Sequence, residues 1–294
     1  MSTLNLVHGD LNDTPTSGET FPDGCHFRTE ISTVNTVEAI EGALKRANEL
    51  NITINRLAET FGIFRHTDKE LSKIINLCKE NGIELNLSVG PRASYDVSET
   101  ANSKHGAMIG YRLRGMEQLI RGVEDVKRAV DLGARGITLY DEGLLWVLNE
   151  LKQRRELPED LQLKISAHAG HGNPASFVLL EKLGATTINP VRDLDLGMLA
   201  ALRKSILVPM DVHADNPTSS GGFVRTYESP EIIRICSPVY IKSGNVRVAS
   251  HGQLTTKEDG IKMVDQMAVV IEHINRYFPE AMQSEVGNGP AIPV

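Results

Sequence analysis

Cysteine is scarce in this chain. Its 294 residues hold three, Cys25, Cys78 and Cys236, and none lies in a C-x-x-C pair. Three thiols cannot all pair, so a disulfide framework is excluded and a reducing compartment is expected; a zinc knuckle and a four-cysteine iron–sulfur cluster are excluded with it. No run of 18 apolar residues occurs, which leaves no candidate for a membrane-spanning helix. Residues 1 to 22 contain Asp10, Asp13 and Glu19 and lack an apolar core segment, so they do not read as a secretory signal. Cytoplasm is the expected location. Positive charge is also short. The net charge is -7 and the isoelectric point about 5.8, against the basic stripe that nucleic-acid binding needs. No G-x-G-x-x-G follows the first strand candidate and no H-E-x-x-H occurs, which removes the dinucleotide fold and the commonest metalloprotease motif. No nucleotide cofactor is expected.

What is present is a rhythm of short apolar runs, each followed by an amphipathic stretch. Strands are expected at 26–32, 54–62, 83–90, 136–142, 163–170, 185–190, 206–213 and 238–244. The helix after the second shows the pattern best. Leu71, Ile74, Ile75 and Cys78 fall at i, i+3, i+4 and i+7, and Gly82 stops it. Eight strands alternating with eight helical stretches in a chain of this length predict a single-domain α/β fold, a closed (β/α)8 TIM-like barrel, over residues 25–278. An open doubly wound sheet is the alternative. Residues 1–24, rich in Thr, Ser, Gly, Asp and Pro, are expected to form a loosely held arm, and 279–294 a tail.

In such a barrel the site forms where strands end and the following loops begin. Polar groups concentrate there: Glu30, Glu59, Arg65, Ser88, Arg92, Asp141, Glu142, His168, His171, Asn189, Arg192, Asp211, His213, Lys242 and Ser243. The opposite loops are plainer, and that asymmetry points to catalysis on a small-molecule or peptide substrate. "VPMDVHADNP" (208–217) places Asp211 and His213 two residues apart, on one face of a strand. With His168 and Glu142 they form a candidate nitrogen–oxygen site for Zn, Mn, Fe or Co. The same residues allow a metal-free reading. His213 or His168 would move a proton, with Glu59 or Asp141 as the second group, or Lys242 would form a Schiff base. The segment 90–115 is too long and polar for an ordinary connection and reads as a lid or a subunit contact in a homo-oligomer. Its Arg92, Arg112 and Arg114, with Arg65 and Arg192, are candidates to hold a carboxylate or phosphate. A non-catalytic barrel subunit that binds a partner is the competing reading.

Several stretches resemble the U32 peptidase-like family: "ETFGIFRHTDKELSKIINLCKENGIELNLSVG", "AVDLGARGITLYDEGLLWVLNEL", "ISAHAGHGNPASFVLLEKLGATTINPVRDLDLGMLAAL", "MDVHADN" and "VYIKSGN". The similarity runs over about residues 25 to 250. The resemblance implies a TIM-like barrel and peptidase or other hydrolase activity. Relatives include iron–sulfur proteins that help hydroxylate RNA or quinones and carry a cysteine quartet after strand seven. This chain has "SSGGFVRTYE" there, so neither cluster nor hydroxylation is expected. The combined expectation is metal-assisted hydrolysis or lyase chemistry on a small polar or anionic substrate.

Overall fold

The computed structural model describes residues 1–90, 92, 100, 103–104, 106 and 110–287. Eight parallel strands close into a barrel in the order of the sequence. They are β1 Phe27–Ser32, β2 Arg56–Glu59, β3 Glu84–Ser88, β4 Gly136–Leu139, β5 Gln162–Ile165, β6 Thr187–Ile188, β7 Met210–His213 and β8 Val239–Lys242. Pairing of Glu30 with Lys242 on one side and Arg56 on the other seals the first strand into the ring. The closed ring excludes the open doubly wound alternative. Among the described residues eight α-helices surround it: α1 Val37–Leu50, α2 Asp68–Glu80, α3 Gly115–Asp131, α4 Glu142–Gln153, α5 Pro174–Lys182, α6 Leu196–Arg203, α7 Ser229–Cys236 and α8 Lys257–Tyr277.

Local sequence explains the helix starts. Thr67 and Glu70 form a reciprocal capping box at α2, as Thr256 and Asp259 do at α8. Asn173 caps α5, with Pro174 at the first turn, where the missing N–H costs nothing. The apolar strand positions Ile31, Leu57, Leu87, Ile137, Ile165 and Val212 face outward and form one core with the inner stripes of the helices. The single tryptophan, Trp146, sits outside this core on α4, 53% exposed.

Alternate strand positions point into the lumen, and most are polar. Lys164 on β5 reaches Glu30 on β1, and Arg56 on β2 reaches Asp211 on β7, so these side chains span the ring. Branched apolar residues usually fill a barrel of this kind; here charge does.

The N-terminal arm is better anchored than its composition suggests. Ser17 bonds through its amide to the Arg234 carbonyl (2.8 Å) and through its hydroxyl to that of Ser237 (2.5 Å). Phe21 is buried edge-on to Tyr240 with the Arg28 guanidinium over its ring. From the other end of the chain, the Ser284 amide bonds to the Phe27 carbonyl, and its hydroxyl accepts from Arg28 Nε. Arm and tail thus brace the N-terminal end of the barrel.

After β3, Asp125 of α3 accepts the Gly90 amide (3.0 Å) and holds the start of the long 90–115 segment. Burial pushes this carboxyl up to about 6 from its ordinary 3.8. The native state therefore holds a proton that the unfolded chain has released between those two values, and stability falls as pH rises through that window. Relative to wild type, Asp125→Asn should gain about 2–3 kcal/mol as pH goes from 4 to 7. Urea unfolding at both pH values measures this; a pH-independent difference would refute it.

Candidate functional site at the C-terminal end of the barrel

The floor of the site is an ion cluster around Glu30, which is fully buried. Its carboxylate accepts from Lys164 Nζ (2.7 and 2.6 Å) and Arg56 Nε (2.5 Å) and lies 2.9 Å from Lys242 Nζ. Arg56 also pairs with Asp211, which lies 3.4 Å from Lys164 Nζ. Burial alone would raise the Glu30 carboxyl, but Arg56, Lys164 and Lys242 together hold it well below the usual carboxylate range. Burial and the neighbouring cations Arg56 and Lys242 push the Lys164 ammonium down; burial, Arg56 and Arg192 do the same for Lys242. Three cations thus surround two carboxylates, and Arg56 also lies 3.8 Å from Glu84 at the N-terminal end of the barrel.

Above the floor, Lys242 and His213 are register partners on β8 and β7, both facing inward. Asn189 from the end of β6 joins them. With its amide turned to satisfy both ends, the oxygen accepts from Lys242 Nζ (3.1 Å) and the nitrogen donates to the Asp211 carbonyl (2.9 Å). Ser32, Ala58, Thr60, Thr138, Tyr140 and Ser166 complete the inner wall. His251, from the loop after β8, stands edge-on to His168 (centroids 4.5 Å apart), and Tyr111 stacks flat on the His168 face (4.3 Å, 10°) and meets His251 edge-on (6.3 Å). Arg192 Nη2 meets His168 Nε2 at 3.2 Å. Arg92 is buried beside Tyr111 and Tyr140 and donates to the Thr60 and Phe61 carbonyls. Nδ1 of His168, His213 and His251, Nε of Arg192 and the Thr138 hydroxyl have no hydrogen-bond partner among the described residues. Buried polar atoms left this way are costly unless something binds them. The free space enclosed here is only about 20 Å³, roughly one water. A substrate therefore needs the loop carrying Asn245 and His251, or Pro217 opposite, to move.

The structure brings together only part of the expected set. His168, His213, Lys242, Arg92 and Arg192 converge. Glu59 does not: strand alternation points it away from the lumen, where it accepts the Gly62 amide (2.7 Å) and contacts His66 Nε2 (3.2 Å). Asp141 also faces outward and caps α4 through the Leu144 amide (3.1 Å). Arg65 is exposed and lies over the Phe61 ring, and Arg114 is exposed at the start of α3. Arg112 is tied to Glu142, which also meets His171. Gly170, at φ 87°, turns the chain between His168 and His171, so only the first joins the inner group.

The four residues expected to ligate a metal are therefore dispersed. Asp211 lies below His213 and is engaged by Arg56, Glu142 is engaged by Arg112, and His168 packs face-on to Tyr111 and edge-on to His251. Among the described residues no three His, Cys, Asp or Glu side chains gather as metal ligands. The donor set does not fit a divalent ion. Sequence reading missed Arg56, Lys164, Tyr111 and His251. The first two had a signal, since Lys164, Ser166 and His168 alternate along one face; His251 had none. Much of the 90–115 segment expected to form a lid or subunit contact lies outside the described residues.

No protein-family model and no characterised protein sequence matches this chain. Solved structures do. A putative fructose-1,6-biphosphate aldolase from Coccidioides immitis is 17% identical, with 87% of this chain and 91% of that one covered and a TM-score of 0.51. A truncated 3-deoxy-D-arabino-heptulosonate 7-phosphate synthase from Thermotoga maritima is 12% identical over 88% and 90%, with a TM-score of 0.50. The U32 peptidase Mk0906 is 15% identical over 64% and 69%, at 0.40. At these identities the likeness establishes the TIM-barrel fold alone.

Two outcomes follow from the site's electrostatics. Burial, together with nearby Arg192 and other cationic or imidazole neighbours, holds His168, His213 and His251 well below the ordinary imidazole value of 6.5. All three should remain neutral at pH 6.5 by nitrogen NMR, and Arg192→Gln should move His168 back toward the ordinary value; a half-protonated signal from any of them would contradict this. Glu30→Gln strips the shared counter-charge from three buried cations and should cost about 3–5 kcal/mol in chemical unfolding.

Proposed function

We propose that this chain is a barrel enzyme of the lyase class, acting on a small carbonyl compound that carries a carboxylate or phosphate, with Lys242 as its amine nucleophile. The observation that carries the reading is the sharing of Glu30 and Asp211 among Arg56, Lys164 and Lys242. Arg56 keeps its proton under all ordinary conditions. One of the two lysines can therefore be neutral without leaving a carboxylate unpaired. Both lysines line the enclosed space, but Lys242 is the one that meets Asn189 and stands in register with His213, and it holds Glu30 by one contact where Lys164 has two.

In the first step the neutral Lys242 Nζ adds to the carbonyl carbon. The carbonyl oxygen leaves as water and a C=N bond to Lys242 forms in its place, one water released per imine made. The two hydrogens of that water come from the amine, relayed by an imidazole that takes a proton from nitrogen and gives one to oxygen, and a further proton drawn from solvent through the same imidazole makes the imine cationic. His213 and His168 are neutral imidazoles with an unpartnered nitrogen and are suited to that transfer. The protonated imine then draws electrons from the neighbouring carbon, which weakens a bond to it. Arg192 and Arg92 supply positive charge for the substrate's anionic end. A hydrolase of the kind implied by the U32 resemblance would need an activated water instead. The site offers it imidazoles but no gathered metal ligands among the described residues.

Reductive trapping tests this. Wild-type protein is treated with borohydride in the presence of pyruvate or dihydroxyacetone phosphate, and intact mass and peptide mapping are read. The expected result is a covalent mass gain on Lys242 with at least one of the two, lost in Lys242→Met and requiring roughly ten-fold more compound in Arg192→Gln. No adduct on wild type with either compound, or an adduct elsewhere, overturns the reading.

A further inference from the structure

A second cavity lies at the opposite end of the barrel from the catalytic candidates. It opens between the starts of β3, β4 and β5 and measures about 530 Å³, within the range of about 300–1,000 Å³ that small-molecule sites occupy. Its side walls are apolar: Ile75 and Cys78 from α2, Ile83 and Leu85 beside β3, and Ala134 before β4. Its inner end is polar, formed by Asn86, Gln162 and Thr187 with Arg56 and Tyr240. Barrel cores are normally closed at this depth, yet Glu84, Leu85 and Gln162 are all part-exposed where their strands begin.

The charged groups around this space are already paired. Arg56 is held by Glu30 and Asp211, Glu84 by Arg28 and the Tyr240 hydroxyl, and Arg135 by Asp160 (3.2 Å). Little charge is left for an ionic ligand; the exposed Lys79 stands at the rim. What remains unmet is neutral. The Thr187 hydroxyl, on a residue only 3% exposed, has no hydrogen-bond partner among the described residues. Asn86 adds a carboxamide able to donate and accept, and Gln162 a second whose nitrogen already donates to the Asp160 carbonyl (2.9 Å), leaving its oxygen and second N–H. Apolar walls with a neutral donor–acceptor end suit a flat ring whose edge carries the same complementary groups.

We infer that this cavity is a second ligand site, for a neutral ring compound bearing a carboxamide or imide edge, oriented by Thr187, Asn86 and Gln162. Its occupant would meet the outer side of Arg56, the same guanidinium that grips Glu30 beneath Lys164 and Lys242. The inference does not depend on the proposed lysine chemistry, because its test reads binding alone.

The probes are nicotinamide and uracil, with benzoate and cyclohexanol as the anionic and apolar counterparts. Saturation-transfer NMR and calorimetry on the full chain measure affinity. Nicotinamide or uracil should bind wild type more tightly than either counterpart. Thr187→Val, which keeps the shape and removes the hydroxyl, should weaken that binding about five-fold, the worth of one neutral hydrogen bond. Ala134→Trp should abolish it by filling the space. Circular dichroism checks the fold of both variants, and chemical-shift mapping on wild type locates the probe should Ala134→Trp fail to fold. Failure of both neutral probes to bind, preference for benzoate or cyclohexanol, undiminished binding in Thr187→Val, or shifts confined to the other end of the barrel would each overturn the inference. Lysine trapping in the same preparation can succeed or fail on its own.

Discussion

Glu30 is the side chain on which the rest of this structure turns. It sits on the first strand with no access to water, and its neighbours come from β2, β5 and β8, with Asp211 of β7 one step further. A buried carboxylate of this kind is tolerable only when its partners surround it, since the cost of stripping its water is several kcal/mol. The same requirement fixes the lumen. Once charge occupies the middle of the ring, branched hydrocarbon cannot, and the apolar core moves wholly to the space between strands and helices. Stability and the proposed reactivity then share one set of atoms. The cluster that makes the barrel self-consistent also sets the protonation balance of Lys164 and Lys242.

The two ends of the lumen differ because of what closes them. At the C-terminal end the lid is made of rings and guanidinium groups, Tyr111, His168, His251, Arg92 and Arg192, several with polar atoms unmet. At the N-terminal end Phe21 and the segment around Ser284 brace one side, and the other remains open beside β3. Arg56 faces both. Its guanidinium lies 3.3 Å over the Tyr240 ring and reaches inward to Glu30 and Asp211.

Much of the fold was legible in the sequence, because a (β/α)8 chain repeats one local instruction. The capping box at Thr67, the Asn173–Pro174 start and the stop at Gly82 each name an element boundary, and seven of the eight strands fall inside the expected ranges, β5 starting one residue early at Gln162. The site was less legible, for two physical reasons. Strand ends were read as if every polar group there faced inward, whereas parity separates Glu59 from Thr60 and Asp141 from Tyr140. The outward member of each pair ties loops and helix caps together. Arg56 and Lys164 lie within their strands and were passed over for that reason, although "RLAE" and "LKIS" alternate as the others do. His251 enters from a loop nine residues beyond the end of β8, where no periodicity carries its direction.

The placing of Glu30 on the first strand has a consequence for the nascent chain. Barrels built of two similar halves can settle half at a time, each half burying its own hydrocarbon. Here the first four strands would enclose Glu30 with Arg56 as its only cation of the cluster. Lys164 arrives with β5, Asp211 with β7 and Lys242 with the last strand. Until some 240 residues have been made the ring lacks its last strand and Glu30 one of its partners, so water stays in the lumen. Closure of the ring and expulsion of that water are then one event, timed by the final strand rather than by the first.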